Sequence, residues 1–148
     1  MTMLGFDIRG RRTGLDEDVR ERRLEVLQRT VERFTFALGM LISGREAPFA
    51  DCASPMLADR MRTAIEPFLA TGDTLRPDFG THGELRIEGD LLDTDTPVSA
   101  FLEFEDRSVR EHGDGATVAV PRRRVRLLLT LSLHPCSVVD CAVELLPG

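Results

Sequence analysis

Between residues 84 and 146, apolar and polar side chains alternate in four runs separated by turn residues, a pattern typical of consecutive antiparallel strands. Alternation of this kind gives a sheet one apolar face and one charged face, and the apolar face must be covered by other elements. The first strand is expected over residues 84–92, and the segment 93–97 turns the chain into the second strand. The earlier part of the chain is therefore expected to supply the cover.

The second and third strands are predicted to form a hairpin around the Asp-Gly pair at residues 114–115, which tolerates the positive φ angles of a two-residue type I′ turn. This turn places an apolar face opposite an apolar face, with the pairs Leu102–Leu127, Phe104–Val125 and Ala100–Leu129. On the other face, acids meet arginines at Glu103–Arg126 and Glu105–Arg124, and Phe101 meets Leu128. A slip of one residue would destroy both matches, because side chains alternate between the faces. Pro121 cannot donate a hydrogen bond to the ladder, which predicts a bulge or an unpaired edge beside it.

The third and fourth strands are predicted to turn through a three-residue loop at residues 134–136. This loop places Leu131 opposite Val139, and it gives Arg126 a second acidic neighbour in Glu144. The same register pairs Leu129–Cys141, Leu127–Val143 and Val125–Leu145. An exposed cross-strand ion pair contributes only roughly 0.2–1 kcal/mol, so these charges specify the register more than they stabilise the sheet.

Apolar residues recur at spacings of three and four over residues 15–43, which predicts a long helix with one buried face. From Phe34 onward this helix is apolar nearly all round, so its second half is expected to be buried on every side. Gly44 is expected to end it. The predicted stripe consists of Leu24, Leu27, Val31, Phe34, Leu38 and Leu41.

A second helix is predicted to begin with Ser54 as its N-cap and Pro55 at its first position, after a single helical turn within residues 47–52. Pro67 and Gly72 are expected to end it, and residues 71–83, rich in Gly, Pro and Asp, are expected to form a loop into the sheet. Residues 1–14 show no periodicity. The chain is therefore predicted to be a flexible N-terminal arm, residues 1–14, followed by a single domain, residues 15–148.

Composition narrows the class of protein. A chain of 148 residues with 42% apolar residues builds one globular domain. Its 25 acids against 19 bases give a net charge of −6, which argues against a nucleic-acid partner. Three scattered cysteines without a CxxC spacing fit a reducing cytoplasm and predict no metal site. No apolar run approaches the ~18–20 residues of a membrane span, so a membrane is not expected as a partner.

The order of these elements resembles that of the NTF2-like superfamily, the cystatin-like α+β cones. The resemblance covers residues 15–146 and also rests on the Ser-Gly-Arg-Glu run at 43–46 and on the strand run 122–133 followed by Val-Val-Asp at 138–140. The closing strands are similar to those of NTF2-like and Tim44-like domains. The resemblance implies an α+β fold in which a long N-terminal helix and one or two shorter helices pack on one face of a curved four-stranded antiparallel meander. It implies a cone-shaped pocket but no particular reaction.

Catalysis has two candidate residues, Asp106 and His82. Asp106 is expected at the end of the inner face, where it could act as a general base. Arg123 opposite would keep it ionised and weakly basic, so a salt bridge at the rim of the core is the competing interpretation. For an isomerase-type member of the superfamily, the resemblance implies a site with an Asp base and with Tyr and acid hydrogen-bond donors. This chain has no Tyr, so that arrangement cannot be carried over to it. For a dehydratase-type member, the resemblance implies a His–Asp dyad. His82, four residues after Asp78, is the candidate histidine of such a dyad.

Binding has two candidate surfaces. A small-molecule pocket is predicted to use Phe34, Leu38, Met61, Phe104 and Arg123, although the apolar members of this set would equally fill a core. A protein interface is predicted on the outer sheet face at Phe101, Glu103, Arg124, Arg126 and Leu128. The same residues would also be expected on a sheet face that is simply exposed to solvent. We favour a non-catalytic, cytoplasmic interaction or scaffold domain that forms a homodimer and needs no cofactor. The alternative is a small-molecule binder or an isomerase, dehydratase or cyclase.

Overall fold

A computed structural model describes residues 2–3, 6–7, 14–79, 85–119 and 121–147. Within them, two α-helices pack against antiparallel sheets, which confirms the predicted α+β class. In chain order the elements are β1 (Thr2–Met3), β2 (Phe6–Asp7), α1 (Gly14–Ile42), a 3-10 turn (Phe49–Asp51), α2 (Pro55–Leu69), β3 (Thr74–Arg76), β4 (Arg86–Glu88), β5 (Val98–Asp106), β6 (Val109–Glu111), β7 (Thr117–Ala119), β8 (Arg123–Leu133) and β9 (Cys136–Leu146).

The long helix α1 matches its prediction to within one residue at each end. Gly44 follows it with a φ of +76°, the left-handed conformation that commonly closes helices. The N–H of Gly44 donates to the carbonyl of Leu41 at 3.1 Å, and the N–H of Arg45 donates to the carbonyl of Met40 at 3.0 Å. Of the predicted arm, the structure describes Gly14, at the start of α1, and the short strands β1 and β2, which pair with each other.

Helix α2 begins as its capping residues predict. The Oγ of Ser54 accepts a hydrogen bond from the N–H of Leu57 at 3.2 Å, and Pro55 occupies the first helical position. The helix ends at Leu69, between the two residues expected to end it: Pro67 lies inside the last turn, and Gly72 follows with a φ of +83°. The N–H of Ala70 still donates to the carbonyl of Glu66 at 2.9 Å, because a proline removes only its own donor.

A small three-stranded sheet of order β3-β6-β7 was not expected. Its strand β3 lies within the segment 71–83 that was predicted to be a loop. Thr74 pairs with Glu111, and Arg76 pairs with Val109. Three residues without a strong strand pattern form a strand here because a partner far away in the chain supplies the hydrogen bonds.

The larger sheet has the order β4-β5-β8-β9, and its two hairpins confirm most of the predicted register. Leu102 faces Leu127, and Glu103 faces Arg126. Arg126 donates to Glu103 at 2.7 Å and lies 3.4 Å from Glu144, so it sits between two acids as predicted. The other confirmed pairs are Ala100–Leu129, Phe101–Leu128, Phe104–Val125, Glu105–Arg124, Asp106–Arg123, Leu129–Cys141, Leu127–Val143 and Val125–Leu145.

The predicted two-residue turn at 114–115 is wrong. Strand β6 pairs with β7 one residue out of step with the β5–β8 ladder, so that Val109 faces Ala119. The N–H of His112 donates to the carbonyl of Ala116 at 2.8 Å, which encloses a three-residue loop with Gly115 at a φ of +89°. The extra residue lies on the strand that contains Pro121, where the missing donor predicted an irregularity.

The turn between β8 and β9 also differs from its prediction. A bulge after Thr130 makes Leu131 face Val138 instead of Val139, and the loop shortens to two residues, 134–135. Val138 is therefore fully buried, while Val139 is 37% exposed. The bulge lets Val138 exchange backbone hydrogen bonds with Cys52 and Ser54, at 2.8 and 2.9 Å.

The first strand of the sheet is shorter than expected, because β4 covers only Arg86–Glu88. Gly89 then bends the chain with a φ of +136°, and a Cβ there would lie 2.7 Å from Val98. The core lies between α1 and the apolar sheet face; its largest buried side chains are Phe34, Phe49, Leu27, Leu57, Leu127, Leu129 and Leu131. In the described residues, no helix is long and apolar enough to cross a bilayer.

Candidate functional site

A cleft of about 820 Å³ runs along one face of α1. The helix contributes a single stripe at spacings of three and four, which extends from Gln28 to Ser43. Because α-helical residues rise about 1.5 Å each, this stripe is about 22 Å long. Its members are Gln28, Val31, Glu32, Thr35, Phe36, Gly39, Met40 and Ser43.

The opposite wall comes from β3 and from residues 77–79 and 85, with Leu102 of the larger sheet also lining the cavity. Pro77 and Phe79 approach α1 most closely at Gly39, where an added Cβ would lie 3.4 Å from Pro77 Cγ. Phe79 in turn packs on Phe104, with ring centroids 5.0 Å apart. The cleft is thus bounded by a helix face and an aromatic-lined wall.

Phe36 faces this cleft and is 63% exposed. The prediction that the second half of α1 is buried on every side is therefore wrong at this position. Phe34, two residues earlier, is fully buried and packs on Phe49 with ring centroids 5.8 Å apart. Pro77 and Phe79, which follow β3, approach α1 at Gly39, whereas Phe36 one turn earlier is left exposed.

Charged groups lie at both ends of the helix stripe. Glu32 lines the N-terminal half, and Arg45 lies just beyond the C-terminal end of α1. Arg76 is already paired with Glu111 at 2.7 Å, also in the wall of the cleft. Among the described residues, the side chains of Glu32 and Arg45 have no hydrogen-bond or ion-pair partner. Of the two arginines in the wall of the cleft, Arg45 is the one that has no partner among the described residues.

The five residues predicted to bind a ligand do not line this cleft. Phe34 belongs to the buried core, and Leu38 and Met61 are partly buried against that core. Phe104 is 6% exposed and touches the cleft only through Phe79. Arg123 lies on the surface, 3.5 Å from Asp106. A ligand-binding role for these residues stays a prediction.

Asp106 is engaged by its neighbours. Its Oδ1 accepts from the N–H of Ser108 at 3.0 Å and from the Ser108 hydroxyl at 2.6 Å, and its Oδ2 faces Arg123. This arrangement is that of a turn cap with a salt bridge at the rim of the sheet. His82, the other catalytic candidate, lies outside the described residues.

The structure instead brings together a His–Asp pair that the pattern of the chain did not reveal. Nδ1 of His112 lies 3.2 Å from Oδ1 of Asp73, and Arg110 donates to the other carboxylate oxygen at 2.7 Å. The hydrogen bond from Arg110 holds the pKa of Asp73 below its ordinary value. The sequence does not predict this pair, because Asp73 lies in the segment 71–83 that is expected to be a loop and not beside a strand. Neither Asp73 nor His112 lines the cleft.

The five predicted interface residues share the outer face of the larger sheet. Phe101 lies opposite Leu128, and this apolar pair is flanked by Glu103 with its two arginines, Arg126 at 2.7 Å and Arg124 at 3.6 Å. The hydrogen bond from Arg126 lowers the pKa of Glu103. In the part of the chain that the structure describes, no group of His, Cys, Asp or Glu side chains could hold a metal ion.

Comparison with known proteins finds no match, either among protein-family models or among curated proteins or solved structures. The resemblance to NTF2-like domains therefore stays a prediction. Function has to be inferred from the geometry of the cleft and of the sheet.

Proposed function

We propose that this chain is a non-catalytic domain that binds an elongated small molecule in the cleft along α1. The exposed ring of Phe36 carries this proposal, because an aromatic side chain left open on an otherwise packed helix gains most from burial under a ligand. The volume of about 820 Å³ lies within the range of roughly 300–1,000 Å³ typical of small-molecule sites. The ligand is expected to have an apolar body.

The C-terminal end of the cleft favours an acidic group on that ligand. Among the described residues, the guanidinium of Arg45 has no partner there, while Arg76 is already neutralised by Glu111 and Glu32 lies in the N-terminal half of the stripe. A guanidinium binds carboxylate and phosphate groups in a bidentate manner. A medium-length alkyl carboxylate, with its chain along Phe36 and Met40 and its head at Arg45, combines both features.

The test is isothermal titration calorimetry of the intact chain with dodecanoate and with dodecylammonium. We expect the carboxylate to bind more tightly than the amine. Phe36→Ala should weaken dodecanoate about tenfold, since it removes one aromatic wall worth about 1.5–3 kcal/mol on full burial. Met56→Ala is the matched control, because Met56 is 82% exposed on α2 and does not line the cleft.

The charge has its own control. Arg45→Gln should weaken the carboxylate and leave the amine unaffected, whereas Arg33→Gln, on another face of α1, should change neither. Equal affinity for both ligands in every variant would overturn the acidic-ligand proposal. An affinity that Phe36→Ala does not change would overturn the cleft itself.

A second candidate function is homodimerisation through the outer sheet face, favoured by the Phe101–Leu128 pair that lies on it. Both signs of charge surround this pair, so two copies related by a two-fold axis could complement each other. Leu128→Arg should then shift the protein to monomer in light scattering. An NTF2-like shape is part of this proposal, supported by the long helix, the meander and the cleft. Cytoplasmic placement is part of it too, supported by the free thiols of Cys52, Cys136 and Cys141.

A further inference from the structure

Strand β9 forms one edge of the larger sheet. On its outer side, the described residues contribute only one backbone contact, a parallel bridge between Ala53 and Val138. Among the described residues, the rest of the strand, from Asp140 to Leu146, pairs with a strand on one side only, that of β8. An edge whose outward N–H and C=O groups have no strand beside them is a template for pairing.

This edge lacks the devices that usually block such pairing. Four consecutive residues, Ala142 to Leu145, are exposed, so that both faces of the strand are open. Val143 is 62% exposed and Leu145 is 59% exposed, although both lie on the apolar face of the sheet. Edges are normally protected by Pro, by bulges or by free charges. Here the bulge comes before Asp140 and the proline after Leu146. The two charges between them are both engaged, Asp140 by Arg60 and Glu144 by Arg126.

A second copy of the same strand fits this edge in one register. A two-fold axis perpendicular to the sheet keeps each face on its own side, so residues pair only with residues of the same face, and the axis must pass beside a residue. An axis at Ala142 would place Asp140 opposite Glu144, and an axis at Glu144 would place that residue opposite itself. Both arrangements set like charges against each other. An axis at Cys141 would direct the partner strand into the position that the Ala53 segment occupies.

An axis at Leu145 would place Pro147, which cannot donate to the ladder, opposite Val143. An axis at Val143 avoids both problems. Val143 meets its own copy, and Cys141 meets Leu145, so the apolar face continues across the junction. On the outer face Ala142 meets Glu144 and Asp140 meets Leu146, so no charge faces a like charge.

We propose that β9 pairs antiparallel with β9 of a second copy, centred on Val143, and thereby joins two four-stranded sheets into one sheet of eight. The contact involves only one stretch of β9 from each chain, so the dimer is expected at the lower end of interface sizes and to depend on protein concentration.

The experiment is sedimentation velocity over a hundredfold range of concentration. The wild-type chain is expected to shift from monomer to dimer as the concentration rises. Val143→Lys places a cation against its own copy and should leave a monomer throughout. Val118→Lys, at a valine of comparable exposure on β7, should dimerise like wild type. A monomer at every wild-type concentration, or a dimer that Val143→Lys does not weaken, would overturn the proposal.

Cross-linking tests the register with variants that scarcely alter the fold. Directly opposed side chains have Cβ atoms about 4.5–5.5 Å apart, close to disulfide reach. With oxidised glutathione as the oxidant, Val143→Cys should yield a dimer linked at position 143, identified by mass spectrometry of the linked peptide. Ala142→Cys, which faces Glu144 of the other copy, should not link to itself. Linkage of Ala142→Cys in preference to Val143→Cys would overturn this register. A dimer abolished by Leu128→Arg but not by Val143→Lys would overturn the edge contact in favour of the outer face.

Discussion

Arg110 donates from its Nε to Oδ2 of Asp73 at 2.7 Å, although the two residues are 37 positions apart in the chain. The same carboxylate lies 3.2 Å from Nδ1 of His112, and Arg110 also lies over the ring of Phe68, 5.2 Å from its centroid. Asp73 thus joins the segment after α2 to β6 and its following residue, which lie between β5 and β8 in the chain. The side chain of Asp73 is only 12% exposed, so water replaces these contacts poorly.

We expect Asp73→Asn to lower the melting temperature by a few degrees, since the charge-assisted hydrogen bond from Arg110 becomes a neutral one. Glu111→Gln is the matched control: it breaks the more exposed ion pair with Arg76 on the same small sheet and should have a smaller effect. Circular dichroism during heating measures both. Equal melting temperatures for the two variants would contradict the role assigned to Asp73.

The same carboxylate predicts an acid-sensitive fold. Because Arg110 lowers the pKa of Asp73 in the native state, the unfolded chain takes up this proton first as the pH falls. The stabilisation is therefore complete above the ordinary Asp pKa of about 3.9 and is lost as the pH falls through the lower native pKa. The pKa of Asp140 is lowered by Arg60, so this residue adds to the loss of stability at acidic pH. Melting temperatures measured from neutral to acidic pH should fall less steeply in Asp73→Asn; an unchanged slope would contradict the linkage.

Two phenylalanines of α1 should differ sharply in their effect on stability. Phe34→Ala leaves a cavity in the core and should cost about 3–5 kcal/mol of unfolding free energy. Phe36→Ala removes a ring that is 63% exposed, so it should cost much less. Chemical denaturation of both variants checks this. Similar losses would mean that Phe36 is covered in solution, which would contradict an open cleft.

The cap of α2 offers a local test. Ser54→Ala removes the acceptor for the N–H of Leu57 and should cost about 1 kcal/mol. Ser54→Gly should cost only a few tenths of that, because water can then reach the freed donor. Urea denaturation resolves the difference. If Gly destabilised more than Ala, the capping role of Ser54 would be refuted.

The thiols of Cys52, which is buried, and Cys141, which is half-buried, should react slowly. Burial raises the pKa of Cys52 and of Cys141 to about 11, which reduces the reactive thiolate at neutral pH. Because a thiolate of higher pKa is also more nucleophilic, the net slowing should be about tenfold. Alkylation with iodoacetamide, followed by mass spectrometry, should label both more slowly in native than in urea-unfolded protein. Equal rates in the two states would contradict their burial.

Local patterns were sufficient for most elements of the fold. The three-and-four stripe located α1, Ser54-Pro55 located the start of α2, and alternation with matched charges gave the register that places Glu103 opposite Arg126. Each of these features depends on residues close in sequence or on a single hairpin. There the spacing of the apolar residues and the pairing of opposite charges predict the same structure.

Long-range contacts decided the rest. Strand β3 forms because β6 lies beside it, and the bulge that buries Val138 arises where Cys52 and Ser54 offer backbone partners. The candidate sites belong to the same class. Phe36 has the apolar character of a core residue, yet it lines a cleft and remains exposed. The hydrophobicity of a side chain determines whether it favours burial, but the packing of elements that are distant in the chain determines whether it is covered.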